Sequence, residues 1–318
     1  MILLALDFGG TKHTVGVMQL NGSGWLQQEQ VFSPAQPDAR YDLDSMLAMA
    51  RRLLGSSRPK AIGVSFGGPV DARLGVVHLS HHVTGWENTP LKEILERELG
   101  APASVDNDAN VAALGEKRFG AGQGYHSLLY ITVSTGVGGG WILNGHIWQG
   151  ADGMAGEIGH ITVDPNGPLC LCGKRGCVER LASGPYLARD ARERMEGDET
   201  CSLRLREMCN GNLSAINGKL ISLAAQQGDP LATELIERSA WALGTGIGNA
   251  ANLVNPQRFI LGGGVTKSGD IWWEGVRRAA RRTALPEVAF DIVPAALGDD
   301  APLWGAAALA LDLIEGES

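Results

Sequence analysis

The sequence contains no uninterrupted apolar run approaching the ~18 residues that a membrane-spanning helix needs, and its N-terminus lacks the basic stretch and small-residue cleavage site of a signal peptide. These absences argue against a helical membrane protein and a secreted one, so the expectation is a soluble cytoplasmic protein. Positive charge is also sparse, with 27 Lys and Arg against 35 Asp and Glu for a net charge of -8. The cations are scattered rather than gathered into a basic stripe, which argues against sequence-led nucleic-acid binding. Cysteine is scarce: five residues, an odd number with three crowded together, do not make a disulfide framework. A reducing compartment and a metal site suit them better. Glycine, by contrast, is abundant, at 44 of 318 residues or about twice the usual ~7%.

The glycines cluster at strand ends, where bare backbone can wrap a ligand. Residues 2–8 are an apolar run ending in Asp7-Phe8-Gly9-Gly10-Thr11, and 14–20 resume with β-branched residues, which reads as strand, glycine turn and strand. Residues 42–54 have helical periodicity, 61–66 read as a buried strand ending at Gly67-Gly68-Pro69, 91–99 as a helix and 103–105 as a strand. Asp108 occupies an N-cap position before an Ala-rich helix at 109–119. Alternation of this kind predicts a largely parallel sheet with ligands at the strands' carboxyl ends, the edge that carries Asp7, Gly68 and Asp108.

Residues 120–124 read as a flexible connector. A strand at 128–134 then runs into Thr135-Gly136-Val137-Gly138-Gly139-Gly140 and a second strand at 141–143, closed by the hairpin signal Asn144-Gly145. Strand, glycine turn and strand thus occur once in each half, which hints at internal duplication. Further on, helices are expected at 183–195, with Ser183 as cap candidate, at 230–254 and at 302–314, and a strand at 258–261 leads into Gly262-Gly263-Gly264.

Three glycine turns after apolar strands suit phosphate binding, because glycine lets oxygens approach the amide dipoles closely. Each taken singly reads equally as a tight turn. Gly10-Thr11-Lys12 ends like a Walker A loop, but the upstream glycine spacing rules that motif out. The most distinctive cluster is His160 with Cys170, Cys172 and Cys177 in Cys170-Leu171-Cys172-Gly173-Lys174-Arg175-Gly176-Cys177. Three thiolates and an imidazole make a closed tetrahedral Zn²⁺ set, structural rather than hydrolytic. Cys201 and Cys209 fall outside it and read as ordinary thiols. Glu157 and Glu179 flank the metal loop as candidate acceptors for sugar hydroxyls, with exposed carboxylates as the plain alternative, and Asp106-Asn107-Asp108-Ala109-Asn110 holds more capping residues than one helix uses.

These motifs, spread over nearly the whole chain, resemble the ROK family of sugar kinases and related repressors. The resemblance rests on Asp7-Phe8-Gly9-Gly10-Thr11-Lys12, Gly67-Gly68-Pro69-Val70-Asp71, Gly85-Trp86, Asn107-Asp108-Ala109-Asn110, Ala112-Ala113-Leu114-Gly115-Glu116, the Thr135 glycine run, Glu157-Ile158-Gly159-His160 and the cysteine loop ending in Glu179. It implies a two-lobed α/β fold of the actin, Hsp70 and hexokinase type, with lobes at 1–118 plus 302–318 and at 119–301, and MgATP and a hexose in the cleft between them. By resemblance Asp108 is the general base, and Asn107, Glu157, His160, Glu179 and the Gly68 backbone contact the sugar. Asp7, Gly9, Gly10, Thr11, Lys12, Thr135, Gly136, Gly138, Gly262 and Gly263 would serve the nucleotide, with Mg²⁺ accompanying ATP. Pro69 after Gly68 is similar to the glucokinase branch, where N-acetylmannosamine kinases tend to have Arg. His81-His82-Val83-Thr84-Gly85-Trp86 departs from the Asn-Leu-Gly-Trp of many glucokinases, so His81 and His82 are candidates for an altered sugar contact or plain surface residues. The family's repressors carry a helix-turn-helix before the kinase-like part, and with strand one beginning at Ile2 that module is not expected here. A homodimer is the family's habit, and a chaperone-like ATPase on the same fold is a third reading that the sugar-pocket residues disfavour.

Overall fold

A computed structural model of the protein describes residues 1–20, 24–80, 83–198 and 200–316. Along the chain the elements are β1 (Ile2–Phe8), β2 (Lys12–Gln19), β3 (Trp25–Phe32), α1 (Ala39–Leu54), β4 (Ile62–Phe66), β5 (Val70–Asp71), β6 (Val76–Val77), α2 (Leu91–Leu99), β7 (Ala103–Asn107) and α3 (Asp108–Phe119). They continue with β8 (Leu128–Val133), β9 (Val137–Leu143), β10 (His146–Trp148), α4 (Val178–Ala182), α5 (Gly184–Gly197), α6 (Leu203–Met208), α7 (Gly218–Gln226) and α8 (Pro230–Val254). Last come β11 (Arg258–Gly262), α9 (Asp270–Thr283), β12 (Asp291–Pro294) and α10 (Ala301–Gly316). No described helix is long and apolar enough to cross a membrane.

The chain forms two compact units, one of residues 1–126, 140–155 and 295–318, the other of 127–139 and 156–294. In the first unit, a five-stranded sheet runs β3-β2-β1-β4-β7, with β1, β4 and β7 parallel and β2 and β3 antiparallel. Its central strands β1 and β4 are buried on both faces because helices cover them: α1 and α2 on one side bury Met46, Leu47, Leu91 and Leu95, and α10 lies on the other. Close approach is enforced by glycine. A Cβ at Gly63 in β4 would stand 1.7 Å from Ala306 O, and one at Gly305 in α10 would stand 1.7 Å from Val111 O of α3. α1 begins where Asp38 accepts the Tyr41 N–H and stops at Gly55, whose φ of 54° ends the helix.

The register places Asp7 opposite Ser65 and Ser65 opposite Asp106, so the acids of β1 and β7 end at one edge. Trp86 is fully buried, its ring centroid 4.8 Å from Phe66 and 5.6 Å from Phe8, and it donates Nε1–H to Asp42 Oδ2 at 3.1 Å. The other Asp42 oxygen meets His13 Nε2 at 2.7 Å, so the expected Gly85-Trp86 motif is pinned by a buried polar triad. His81 and His82, on which a sugar contact was expected, lie outside the described residues.

In the second unit β8 lies between β9 and β11, with β12 parallel beyond β11. β9 begins there and continues into the first unit, where it pairs with β10 through the expected Asn144-Gly145 hairpin, both residues at positive φ (53° and 88°). α8 is the long helix the periodicity foretold: Asp229 accepts the Ala232 N–H at 2.9 Å, Pro230 opens the first turn and Asn255 ends the helix at φ 53°. α9 packs along α8 so closely that a Cβ at Gly244 would lie 2.4 Å from Val276 O.

Three local expectations are corrected. Asn107, not Asp108, caps α3, because β7 stays extended through Asn107 and its Oδ1 accepts the Ala109 N–H at 3.0 Å; Asp108 is the first helical residue. The glycine turn expected over 135–140 is confined to residues 134–136, where Ser134 N–H donates to Gly136 O at 2.9 Å. Gly138, Gly139 and Gly140 are strand residues of β9, the last two kept as glycine by crowding: a Cβ at Gly139 would meet Gly156 O at 2.7 Å and one at Gly140 would meet Ala109 O at 2.3 Å. Ser183 precedes α5 as expected, but its buried hydroxyl makes no capping bond.

Candidate active site

In the first unit the candidates converge at the carboxyl ends of β1, β4 and β7. Asp7 is buried and accepts the Ser65 hydroxyl at 2.9 Å. Burial raises its carboxyl to about 6, with the Ser65 bond opposing, the nearby Asp108 charge adding and Lys12 opposing. Lys12 lies 3.9 Å from Asp300. Asn107 and Asp108 are half-buried, and Asn107 Nδ2–H donates to Gly68 O at 3.0 Å, which ties two expected substrate-contacting groups together. A Cβ at Gly67 would come 3.9 Å from both Asp108 Oδ2 and the Gly10 amide nitrogen, so the base candidate and the first glycine turn face the same small space. Gly9 is needed where it stands, since a Cβ there would lie 2.7 Å from Lys12 O.

Asp106 holds this edge in place and was not singled out from the sequence. It is buried and accepts from the Asn107 amide at 2.7 Å, Asn110 Nδ2 at 3.1 Å and Gln149 Nε2 at 2.7 Å. Burial pushes its carboxyl above the usual range, against these three bonds. A run of capping residues flagged the segment; which acid turns inward depends on the strand register.

In the second unit the metal candidates come together. One ligand atom from each of His160, Cys170, Cys172 and Cys177 can be chosen so that all lie within 4.8 Å of one another. The loop is folded back on itself by the Cys170 N–H to Lys174 O bond of 2.8 Å and by Gly173 and Gly176 at positive φ (86° and 57°). His160 Nδ1 is buried with no hydrogen-bond partner, while Nε2 lies 3.9 Å from Glu157 Oε2. Burial pushes the Cys177 thiol up to about 12, whereas the Lys174 amide draws the Cys172 thiol down. An orphaned imidazole nitrogen among crowded thiols is what a divalent cation would satisfy, because it favours every thiolate at once. This cluster can hold a structural metal ion. Cys201 and Cys209 are free and outside it.

Glu179 enters from the metal side. Cys177 precedes α4, Glu179 sits in its first turn, and Glu179 Oε2 accepts the Val137 N–H at 3.0 Å. The Glu157–His160 turn reaches the same place, because a Cβ at Gly159 would stand 2.0 Å from Val137 O. The turn that carries Glu157 and His160 and the carboxylate of Glu179 therefore both pack against Val137. The half-exposed Glu157 carboxylate has its ion-pair partner in His160 at 3.9 Å.

Beside this lies a cavity of about 770 Å³ lined by Ser134, Thr135, Gly184, Asn217, Gly218 and Gly264, with Arg192, Lys219 and Lys267 supplying positive charge. Its floor is tight, as a Cβ on Gly218 would meet Gly184 Cα at 3.0 Å. Of the expected nucleotide glycines, Gly262 ends β11 under Tyr130, and Gly263 turns at φ 88° against Val133. Gly264, not Gly262 or Gly263, lines the cavity. The contribution of α5 and α7 was invisible in the sequence, since neither carries a glycine-rich turn.

With this geometry in view, the likeness to known proteins is decisive: the sequence pattern of the ROK family matches residues 3–313. The chain belongs to the ROK family. A glucokinase of Halalkalibacterium halodurans is 39% identical over 310 residues, covering 95% of this chain and 92% of that protein. A ROK family glucokinase from Streptomyces griseus, solved with glucose and AMPPNP, shares 37% identity with a TM-score of 0.82, over 98% of this chain and 99% of that one. A ROK family transcriptional regulator homologous to the E. coli Mlc protein shares 27% identity with a TM-score of 0.86, over 99% of this chain and 79% of that one. The ROK chain described here thus has the two-lobed α/β fold of the actin and hexokinase type.

Proposed function

We propose that this protein is an ATP-dependent hexose kinase that transfers the γ-phosphoryl group of ATP to the 6-hydroxyl of glucose. The observation that carries the reading is Asp108, a half-buried carboxylate at the start of α3 facing Gly67 and the Gly10 amide, in a chain similar over almost its full length to glucokinases. Asp108 accepts the proton of the sugar hydroxyl as its oxygen attacks the terminal phosphorus. Asn107, the Gly68 backbone, Glu157, His160 and Glu179 hold the remaining hydroxyls. The carboxylates accept, and the imidazole donates through the nitrogen not given to metal.

Nucleotide binding falls to Asp7, Gly9, Gly10, Thr11, Lys12, Thr135, Gly136, Gly138, Gly262 and Gly263, and to the cavity beside Thr135, whose three cations suit an anionic ligand. Mg²⁺ bound with ATP would neutralise phosphate charge, and Asp7 is the acid of this chain proposed to serve it. The His160, Cys170, Cys172 and Cys177 cluster suits Zn²⁺, which would brace the segment bearing Glu157 and Glu179 without entering the chemistry. Reduced thiols and an ATP substrate agree with a cytoplasmic protein, and a homodimer is proposed from the family's habit.

The test is a coupled assay of ADP release over glucose, mannose, fructose, allose and the N-acetylated hexosamines. Glucose should give the highest kcat/KM. Preference for another hexose would move the specificity, and ADP release indifferent to every sugar would reject the kinase reading. The likeness to a ROK transcriptional regulator supports a second reading, a sugar-responsive repressor. Sugar-dependent operator binding in a gel-shift assay would favour it.

A further inference from the structure

Among the described residues Glu179 uses only one of its two oxygens. Oε2 accepts the Val137 N–H at 3.0 Å, and Oε1 has no hydrogen-bond partner among the described residues. The Val137 amide closes the turn that begins at Ser134 and Thr135, both of which line the 770 Å³ cavity. Gly136 makes the contact possible, because a Cβ there would stand 2.7 Å from Glu179 Oε2. On the far side of α4 the chain grips the same turn again, where Gly184 N–H donates to Ser134 O at 2.9 Å. The five-residue helix between Cys177 and Ser183 therefore holds the turn from both ends.

We propose that Glu179 is a positioning residue shared by two ligands: Oε2 fixes the Thr135-Gly136-Val137 turn of the nucleotide cavity, and Oε1 takes a hydroxyl of the acceptor sugar. This rests on the kinase reading, for the sugar and for the nucleotide cavity alike. Movement of the carboxylate toward a sugar hydroxyl shifts the bond to Val137 and with it the turn, so sugar and nucleotide affinities are coupled through one side chain. Coupling of this kind is reciprocal: each ligand changes the other's binding by the same factor.

Two substitutions separate the roles. Glu179→Gln keeps a carbonyl oxygen for the Val137 amide but loses the carboxylate; Glu179→Ala loses both. Titration calorimetry of the metal-loaded full-length protein would measure a non-hydrolysable ATP analogue with Mg²⁺, without sugar and then at saturating glucose. Expected without sugar is near wild-type nucleotide affinity for Glu179→Gln and a loss of about tenfold for Glu179→Ala, the scale of one lost charge-assisted bond to a backbone amide. Glucose affinity should fall in both, and in Glu179→Ala the factor by which glucose shifts nucleotide affinity should collapse to one. Unchanged nucleotide affinity in Glu179→Ala would overturn the proposal, as would unchanged glucose affinity in Glu179→Gln.

Should Glu179→Ala fail to fold, Gly136→Ala provides the same reading from the turn side. Its methyl displaces Oε2 and should weaken nucleotide binding; unaltered affinity there refutes the role of the turn. The sugar-free arm is independent of which hexose is the substrate, so an error in the proposed acceptor and an error in the role of Glu179 give different results.

Discussion

Ser65 donates its hydroxyl to Asp7 Oδ1 across 2.9 Å, between the penultimate residues of two neighbouring parallel strands. This single bond is the main support of a buried carboxylate whose pKa is raised to about 6 by burial. A raised acid is favoured in its protonated form by the fold. Its contribution to stability is therefore fully present below the unfolded value near 4 and is lost as pH rises through about 6. Asp7→Asn should remove this dependence. Thermal unfolding of the ligand-free protein should find the variant gaining on the wild type between pH 4 and 6, by about 2–3 kcal/mol from two units of pKa at 1.36 kcal/mol each. A constant difference across that range would contradict it.

Asp108→Asn preserves the start of α3, since the amide oxygen can still accept the Ala109 N–H that Asp108 Oδ1 accepts at 2.8 Å. Loss of the base should lower kcat by about 10²–10⁴-fold while glucose affinity changes little. Steady-state kinetics paired with equilibrium sugar binding separates the two. Near-normal turnover would remove Asp108 from the chemistry.

Purified protein should contain about one equivalent of zinc, the number a single closed four-ligand site takes. Chelation under denaturing conditions with a colorimetric zinc indicator measures it. Cys177→Ser should lose the metal and lower the melting temperature by about 5 °C or more, because Cys177 is buried and opens α4. A metal-free protein as stable as the loaded one would deny the cluster a structural role.

Glu116 is fully buried and accepts three backbone amides, Ala121 at 2.7 Å, Leu297 at 2.8 Å and Ala296 at 3.2 Å. It lies on α3, two turns beyond Asp108, and fixes the segments after α3 and before α10 to that helix. Glu116→Ala leaves those donors unsatisfied and should cost about 3–5 kcal/mol in urea unfolding, with Glu116→Gln costing less. Stability of Glu116→Ala within about 0.5 kcal/mol of wild type would show that the bonds are replaced by solvent.

The sequence by itself determined the elements whose signal is local. β1 and β2 around Gly9-Gly10, α3 with its surplus of caps, α8 between Pro230 and Asn255, the Asn144-Gly145 hairpin and the metal-ligand set all follow from periodicity, backbone preference or side-chain chemistry within short windows. β3 escaped notice because its Trp25–Phe32 stretch is mostly polar and exposed, an outer strand recognisable only by its pairing with β2. α9 and the short α6 and α7 have no such excuse in pairing; their amphipathic patterns are legible only once a partner face is known.

Tertiary structure alone decided which acid of Asp106 and Asp108 turns inward, because a two-residue strand period assigns faces only after register with β4 is set. It alone brought Gly184 and Gly218 together to floor a cavity, and placed Glu179 against Val137, 42 residues earlier in the chain. Such contacts depend on packing across long loops, for which no local preference carries information.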